Sequence, residues 1–147
     1  MSKHHDFLRV AFKEAEQSRE HGNHPFGAVL VNAEGEVILA AENSVVTQND
    51  VSGHAEINLL RAATKKYSAN ELKHCTVYAS SEPCPMCASA MVWANIRHLV
   101  FGLGMEKLYS NFGDISDAPA LKMYSRDIFK HAPWPVNVTV TPFVARR

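Results

Sequence analysis

The sequence predicts an α/β protein of three layers, with helices on both faces of a five-stranded mixed sheet, and three observations predict it. Apolar residues switch between the helical and the strand period in the order α-β-β-α-β-α-β-α-β. The first two strands flank a four-residue turn, "NAEG" at 32–35, as an antiparallel hairpin does. The later strands are separated by helical stretches, the pattern of parallel crossovers.

The elements follow in order. "HDFLRVAFKEAEQSREHG" places Leu8, Ala11, Phe12 and Ala15 at helical spacing and stops at Gly22, a residue suited to a helix C-cap. "FGAVLVN" and "EVILAAE" are the hairpin strands. "HAEINLLRAATKKY" is a helix with Ile57, Leu60 and Ala63 on one face. "CTVYASS" is a strand, "PMCASAMVWAN" a helix with Pro85 in its first turn, and "RHLVFG" a strand. Residues 75–102 thus form a strand–helix–strand unit, expected as a right-handed parallel crossover, with Met86, Met91 and Trp93 in the core. "APALKMYSRDIFKHA" is expected to be helical, and "VNVTVT" alternates as a last strand.

The chain has 147 residues, 46% of them hydrophobic, and shows no linker or repeat, so residues 1–147 are expected to form one domain. No stretch approaches the roughly 20 apolar residues that span a bilayer, so no membrane partner is expected. The start, "MSKHHDFLRVAFKEAEQ", has charges throughout and no apolar segment of a signal peptide. Three cysteines are too few for a secreted disulfide framework, which makes the cytoplasm the expected location. Fifteen Lys/Arg balance fifteen Asp/Glu, which argues against a dedicated nucleic-acid binder.

"SSEPCPMCASAM" (80–91) raises the chemical question. A Cys-x-x-Cys can be a redox dithiol, half of a structural zinc site, or part of a catalytic metal centre. Cys84 and Cys87 lie where a strand ends and a helix begins, on one face of its first turn. There the helix dipole favours anions, so both thiols are expected to deprotonate easily. Cys75 lies a strand length away and is expected to be buried core. "VSGHAEINLL" offers the missing ligand. At a helix N-terminus the entering backbone is not yet helical, so His54 can bind a metal while Glu56 reaches the same pocket. His54, Cys84 and Cys87 leave a fourth position open for water, as a catalytic zinc site does.

His-x-Glu followed by Pro-Cys-x-x-Cys is the signature of zinc nucleobase deaminases. The chain resembles the cytidine deaminase-like superfamily. Within it, "HPFGAVLV", "ENSVVTQND", "HAE" and "EPCPMCASAMVWA" look most like the small guanine deaminases of bacteria. The resemblance covers residues 7–103. It departs at "NDVSGHAE", where relatives commonly have Asp-Pro-Thr-Ala before the histidine, and at "LYSNFGDISDAP".

The resemblance implies a cytidine deaminase-like fold, a Zn2+ cofactor, a nucleobase and water as substrates, and a homodimer. It makes Glu56 the proton shuttle rather than a ligand. It implies base contacts from Asn43, the Phe26 ring and the Ala55 backbone N–H. For Asn43 the plainer alternative is a turn residue, and for Phe26 ordinary core. Guanine deaminases resembling this chain place an acidic residue near Asp114 or Asp117 as a second proton shuttle, and a surface turn is the alternative for either. His24, beside Pro25, is read as a surface residue.

Three functions fit the motifs: deamination of a free base, guanine or isocytosine first, with adenine and cytosine expected to be poor and cytosine deamination kept as an alternative; deamination of adenosine in tRNA; and a non-enzymatic zinc module. Neutral charge favours the first over the second. A buried carboxylate beside an open metal position disfavours the third.

Overall fold

Leu8, Ala11 and Ala15, spaced along one helical face, are buried in α1 (Lys3–Glu20). The computed structural model describes residues 3–111 and 121–142. Helix α1 ends in a Schellman turn: the Asn23 N–H reaches back to the Ser18 carbonyl at 2.9 Å, and the Gly22 N–H to that of Arg19 at 3.0 Å. Gly22 takes φ +93°, open to glycine without strain, which bears out its expected capping role.

Strands β1 (Gly27–Val31) and β2 (Val37–Glu42) form the expected antiparallel hairpin. Asn32 shapes its turn, accepting the N–H groups of Glu34 and Glu36 on Oδ1, and Gly35 takes φ +80°. Strand β1 also pairs antiparallel with β3 (Thr76–Ser81), which pairs parallel with β4 (His98–Leu103) and, through it, with β5 (Asn137–Val140). The order β2-β1-β3-β4-β5 is a five-stranded mixed sheet.

Alternate β1 residues separate the two sides of the core. Val29 and Val31 face the α1 layer with Leu8, Tyr78 and Val100. Ala28 and Leu30 face the opposite layer, whose buried residues come from α3 (Ala55–Lys66), α5 (Pro85–Trp93) and α7 (Ser125–Phe129). All five β1 residues are buried, as expected of a central strand covered on both faces. Helix α1 packs closest at Gly27. A Cβ there would run into the Ala11 carbonyl and come within 2.6 Å of the Ala15 nitrogen.

The structure corrects several expectations. Short helices α2 (Val45–Gln48), α4 (Ala69–Leu72) and α6 (Met105–Asn111) lie in stretches too short for a periodic signal. Of the helix expected over 118–132, residues 118–120 lie outside the described residues. In the rest only α7 is α-helical, residues 121–124 are not, and the Tyr124 and Ser125 N–H groups are taken by acidic side chains. In α3 the buried face is Ala55, Glu56, Leu59, Leu60 and Ala63, with Ile57 only half-buried. Helix α5 is apolar all round, so its pattern does not say which side faces in. Met91 is buried there, Met86 is half-buried, and Trp93 is 90% exposed. Cys75 is buried core as expected, its thiol donating to the Glu71 carbonyl at 3.5 Å.

Gly27→Ala is expected to cost about 1–3 kcal/mol, because α1 must back away from the sheet. Urea unfolding followed by circular dichroism checks it, and an unchanged midpoint would contradict the close packing.

Candidate metal centre

Two helices begin at the ends of the strands and meet. His54 is the N-cap of α3 and Cys84 the N-cap of α5, and both have extended backbones (ψ 151° and 170°). Each cap therefore turns its side chain across the helix mouth rather than along the helix. Pro85 at the first position of α5 has no N–H to leave unpaired. Cys87 follows one turn later and is fully buried.

The three donor atoms form a nearly equilateral triangle. His54 Nδ1 lies 3.5 Å from Cys84 Sγ and 3.4 Å from Cys87 Sγ, and the two sulfurs are 3.6 Å apart. A tetrahedral zinc ion with bonds of about 2.3 Å to sulfur and about 2.0–2.1 Å to nitrogen sets ligand–ligand edges of about 3.5–3.8 Å. The triangle fits one face of that tetrahedron. Only these three converge among the described residues, none of which supplies a ligand at the remaining apex. Neither cysteine is in a disulfide.

Electrostatics match a site built for a cation. The hydrogen bond between Cys84 and Cys87, together with the His54 ring, holds the Cys84 thiol down at about 4 despite burial. The Cys84 sulfur in turn raises His54. The Cys87 thiol is driven far up, first by its bond to Cys84, then by burial and by the Glu56 charge. The expectation that both thiols ionise easily therefore fails for the metal-free site. Two adjacent anions repel, so one sulfur keeps its proton until a cation replaces it.

Glu56, at the second position of α3, is 7% exposed. Burial first, and then the charge on Cys84, push its carboxyl up to about 7, against the lowering effects of His54 and Cys87. A carboxyl poised near neutrality can both accept and donate a proton.

The expected base contacts adjoin one another. The Asn43 N–H donates to the Phe26 carbonyl at 3.1 Å, across the open end of the β1–β2 hairpin. Asn43 is buried, and its Oδ1 accepts the Val45 N–H at 3.0 Å, so it is a turn residue whose Nδ2 has no hydrogen-bond partner among the described residues. Phe26 is half-buried against the core. Ala55 is fully buried at the first position of α3, where a helix N–H has no intrahelical acceptor. Asp114 and Asp117 lie outside the described residues. His24 is exposed, as expected.

Sequence reasoning missed the residues that hold these segments together. Ser18 on α1 is fully buried and its hydroxyl reaches the carbonyls of His24 (2.7 Å) and Asn43 (2.9 Å). Asn23 Oδ1 accepts the Val46 and Thr47 N–H groups, tying the entrance of β1 to α2. Glu82 is 5% exposed and its carboxylate accepts from the Met105 N–H, the Ser125 N–H and the Ser125 hydroxyl. It thereby joins the Cys84 loop to α6 and α7. The one signal for Glu82 was a charge next to Pro83-Cys84 at a strand end; Ser18 and Asn23 gave none.

Comparison with known proteins agrees with this geometry. The family model for the cytidine and deoxycytidylate deaminase zinc-binding region matches residues 1–103. A probable cytosine deaminase of Schizosaccharomyces pombe is 39% identical over 138 residues, 94% of this chain and 83% of that protein. A tRNA-specific adenosine deaminase of Buchnera aphidicola is 38% identical over 105 residues, 71% of this chain and 69% of that one. The crystal structure of a guanine deaminase from Bacillus subtilis superposes with a TM-score of 0.69 at 31% identity, over 100% of this chain and 87% of that one.

About one zinc per chain is expected on elemental analysis. Cys84→Ser should strip it and lower the melting temperature, because two remaining ligands hold it poorly. Cys75→Ser should keep it, since burial raises that thiol and holds it protonated. Equal zinc loss in both variants would sink the ligand assignment.

Proposed function

Because the chain belongs to the zinc-binding cytidine and deoxycytidylate deaminase family, we propose that it hydrolyses the exocyclic amino group of a free nucleobase, releasing ammonia. One observation carries this reading: a buried carboxyl, Glu56, in the first turn of the helix that His54 caps, beside a three-ligand triangle to which no other described residue adds a ligand. A purely structural zinc site closes its fourth position with protein and has no use for that carboxyl.

His54, Cys84 and Cys87 are the proposed ligands. Zinc bound there would supply a Lewis acid that lowers the pKa of a coordinated water to about 7. Glu56 takes one proton from the attacking water and delivers it to the ring nitrogen beside the amino-bearing carbon. It then moves the remaining hydroxyl proton of the adduct to the amine, so that the C–N bond breaks, ammonia leaves and the carbonyl forms. The Ala55 N–H and the spare Asn43 Nδ2 are donors for ring oxygen or nitrogen, and Phe26 offers a flat apolar surface for the ring.

The substrate class follows from those donors. Guanine and isocytosine place a ring carbonyl one nitrogen away from the amino-bearing carbon, and the Asn43 donor suits that carbonyl. Free adenine has no carbonyl and would leave the donor unpaired. Guanine and isocytosine are the first reading. Cytosine is the second, favoured because its relative matches along 94% of the chain, including the segment after the metal motif. Cytosine carries the same carbonyl, but its intervening nitrogen accepts a hydrogen bond where that of guanine donates one. A tRNA substrate is disfavoured by the zero net charge.

Ammonia release from guanine, isocytosine, cytosine, adenine and a tRNA anticodon stem, at two salt concentrations, tests the reading. Turnover of a carbonyl-bearing base with little salt dependence is expected, and Glu56→Gln should keep its zinc while losing at least the roughly 10²–10⁴-fold that proton transfer supplies. Deamination of the stem alone, weakening with salt, would replace this reading with the tRNA one.

A homodimer and a cytoplasmic location complete the proposal. Trp93, on the metal-binding helix and 90% exposed, supports the dimer, since large aromatics are enriched at interfaces. Sedimentation velocity should show a dimer that Trp93→Ser weakens, and a wild-type monomer at every concentration would refute it. Among the described residues no helix is long and apolar enough to cross a membrane.

A further inference from the structure

Asn58 lies one turn beyond His54 on α3, and its side chain is bonded on both sides of Asn43. Its Nδ2 donates to the Glu42 carbonyl at 2.9 Å and to the Ser44 hydroxyl at 2.9 Å, with a longer 3.4 Å contact to the Gly53 carbonyl. Its Oδ1 accepts from Arg61 Nη1 at 3.0 Å. Carbonyl acceptors on one side and a guanidinium donor on the other leave only one orientation for the amide. The Asn58 backbone N–H bonds the His54 carbonyl at 2.9 Å.

The segments so joined are already in close contact. The Ser44 N–H donates to the Gly53 carbonyl at 2.8 Å, and a Cβ on Gly53 would come within 2.9 Å of Ser44 Oγ. Glycine at 53 thus lets the chain entering the metal helix lie against the chain leaving β2. A single amide then spans both: residues 42 and 44, which flank Asn43, and residue 53, which precedes His54.

We propose that Asn58 is a positioning residue for catalysis, setting where Asn43 sits relative to His54 and Glu56. This rests on the reading of Asn43 as a base contact. Asn43 is on the hairpin side of the site, whereas His54 and Glu56 are on α3, and nothing in the covalent chain fixes the distance across that gap. The Asn58 amide does so with bonds at both ends of the residue it positions. Without it, the Glu42 carbonyl and the Ser44 hydroxyl lose their shared donor, and Asn43, still bonded to Phe26 and Ser18 on the hairpin side, shifts relative to His54 and Glu56.

The test uses the zinc-loaded full chain and the base it turns over fastest. Asn58→Ala and the near-isosteric Asn58→Asp are expected to keep the zinc. Their kcat/KM should fall by about 10- to 100-fold, as a misplacement near 1 Å does. Most of that loss should lie in KM, because a carbonyl contact holds substrate and transition state alike. In an Asn43→Ala background the loss from Asn58→Ala should vanish, since the amide acts through Asn43. Additive losses would overturn the proposal and leave Asn43 as a base contact, whereas wild-type kinetics in Asn43→Ala would overturn both. Amide hydrogen exchange gives a readout that needs no turnover. Asn58→Ala should speed exchange at Ser44 and Val45 but not at Ala88 in α5, and unchanged exchange at Ser44 and Val45 would overturn the proposal whichever base is used.

Discussion

Two sulfurs 3.6 Å apart, with an imidazole and a buried carboxylate beside them, cannot all be in their basic forms unless a cation sits among them. That repulsion is the constraint around which the site is organised. The chain accepts it by placing the donors at the mouths of two helices, where free N–H groups and the helix dipoles favour negative charge. Both caps are in extended conformation. The helices thus start at the metal instead of running past it, and each contributes its ligands within the first turn.

Helix mouths converge only if the strands before them end together, and β2 and β3, each antiparallel to β1 between them, do end on the same side of the sheet. The sheet alone leaves the connecting loops under-determined. They are fixed by buried polar side chains that each serve two or three partners. Glu82 gathers the N-terminal N–H groups of α6 and α7 onto the Cys84 loop, and Ser18 gathers two carbonyls of the opposite loops. A buried carboxylate or hydroxyl is costly when unpaired and stabilising when fully satisfied, so such groups lock one loop arrangement against others of similar apolar burial.

The division between a shared chemistry and a variable substrate follows from the same layout. The metal triangle and Glu56 come from two helix starts within residues 1–103, the stretch that the family model covers. Relatives named for cytosine, for guanine and for adenosine in tRNA all match this chain. On the proposed reading, the choice of ring falls to segments outside those two helix starts.

Local order was legible because its causes are local. The periods of Leu8–Ala11–Ala15 and of "VNVTVT", the turn at Asn32–Gly35 and the glycine cap at Gly22 each depend on neighbours a few residues away. The ligands were legible for the same reason: Cys84 and Cys87 share one helical turn, and His54 and Glu56 one helix start. Three things were decided by tertiary structure. Helix α5 is apolar on every side, so only packing could bury Met91 and leave Trp93 in solvent. Helix α7 begins at Ser125 because Glu82, 43 residues earlier, takes its first N–H. Asn58, Ser18 and Asn23 acquire their roles only when strands and loops distant in sequence come within 3 Å or so of one another, a proximity set by the assembled sheet and carried by no local pattern.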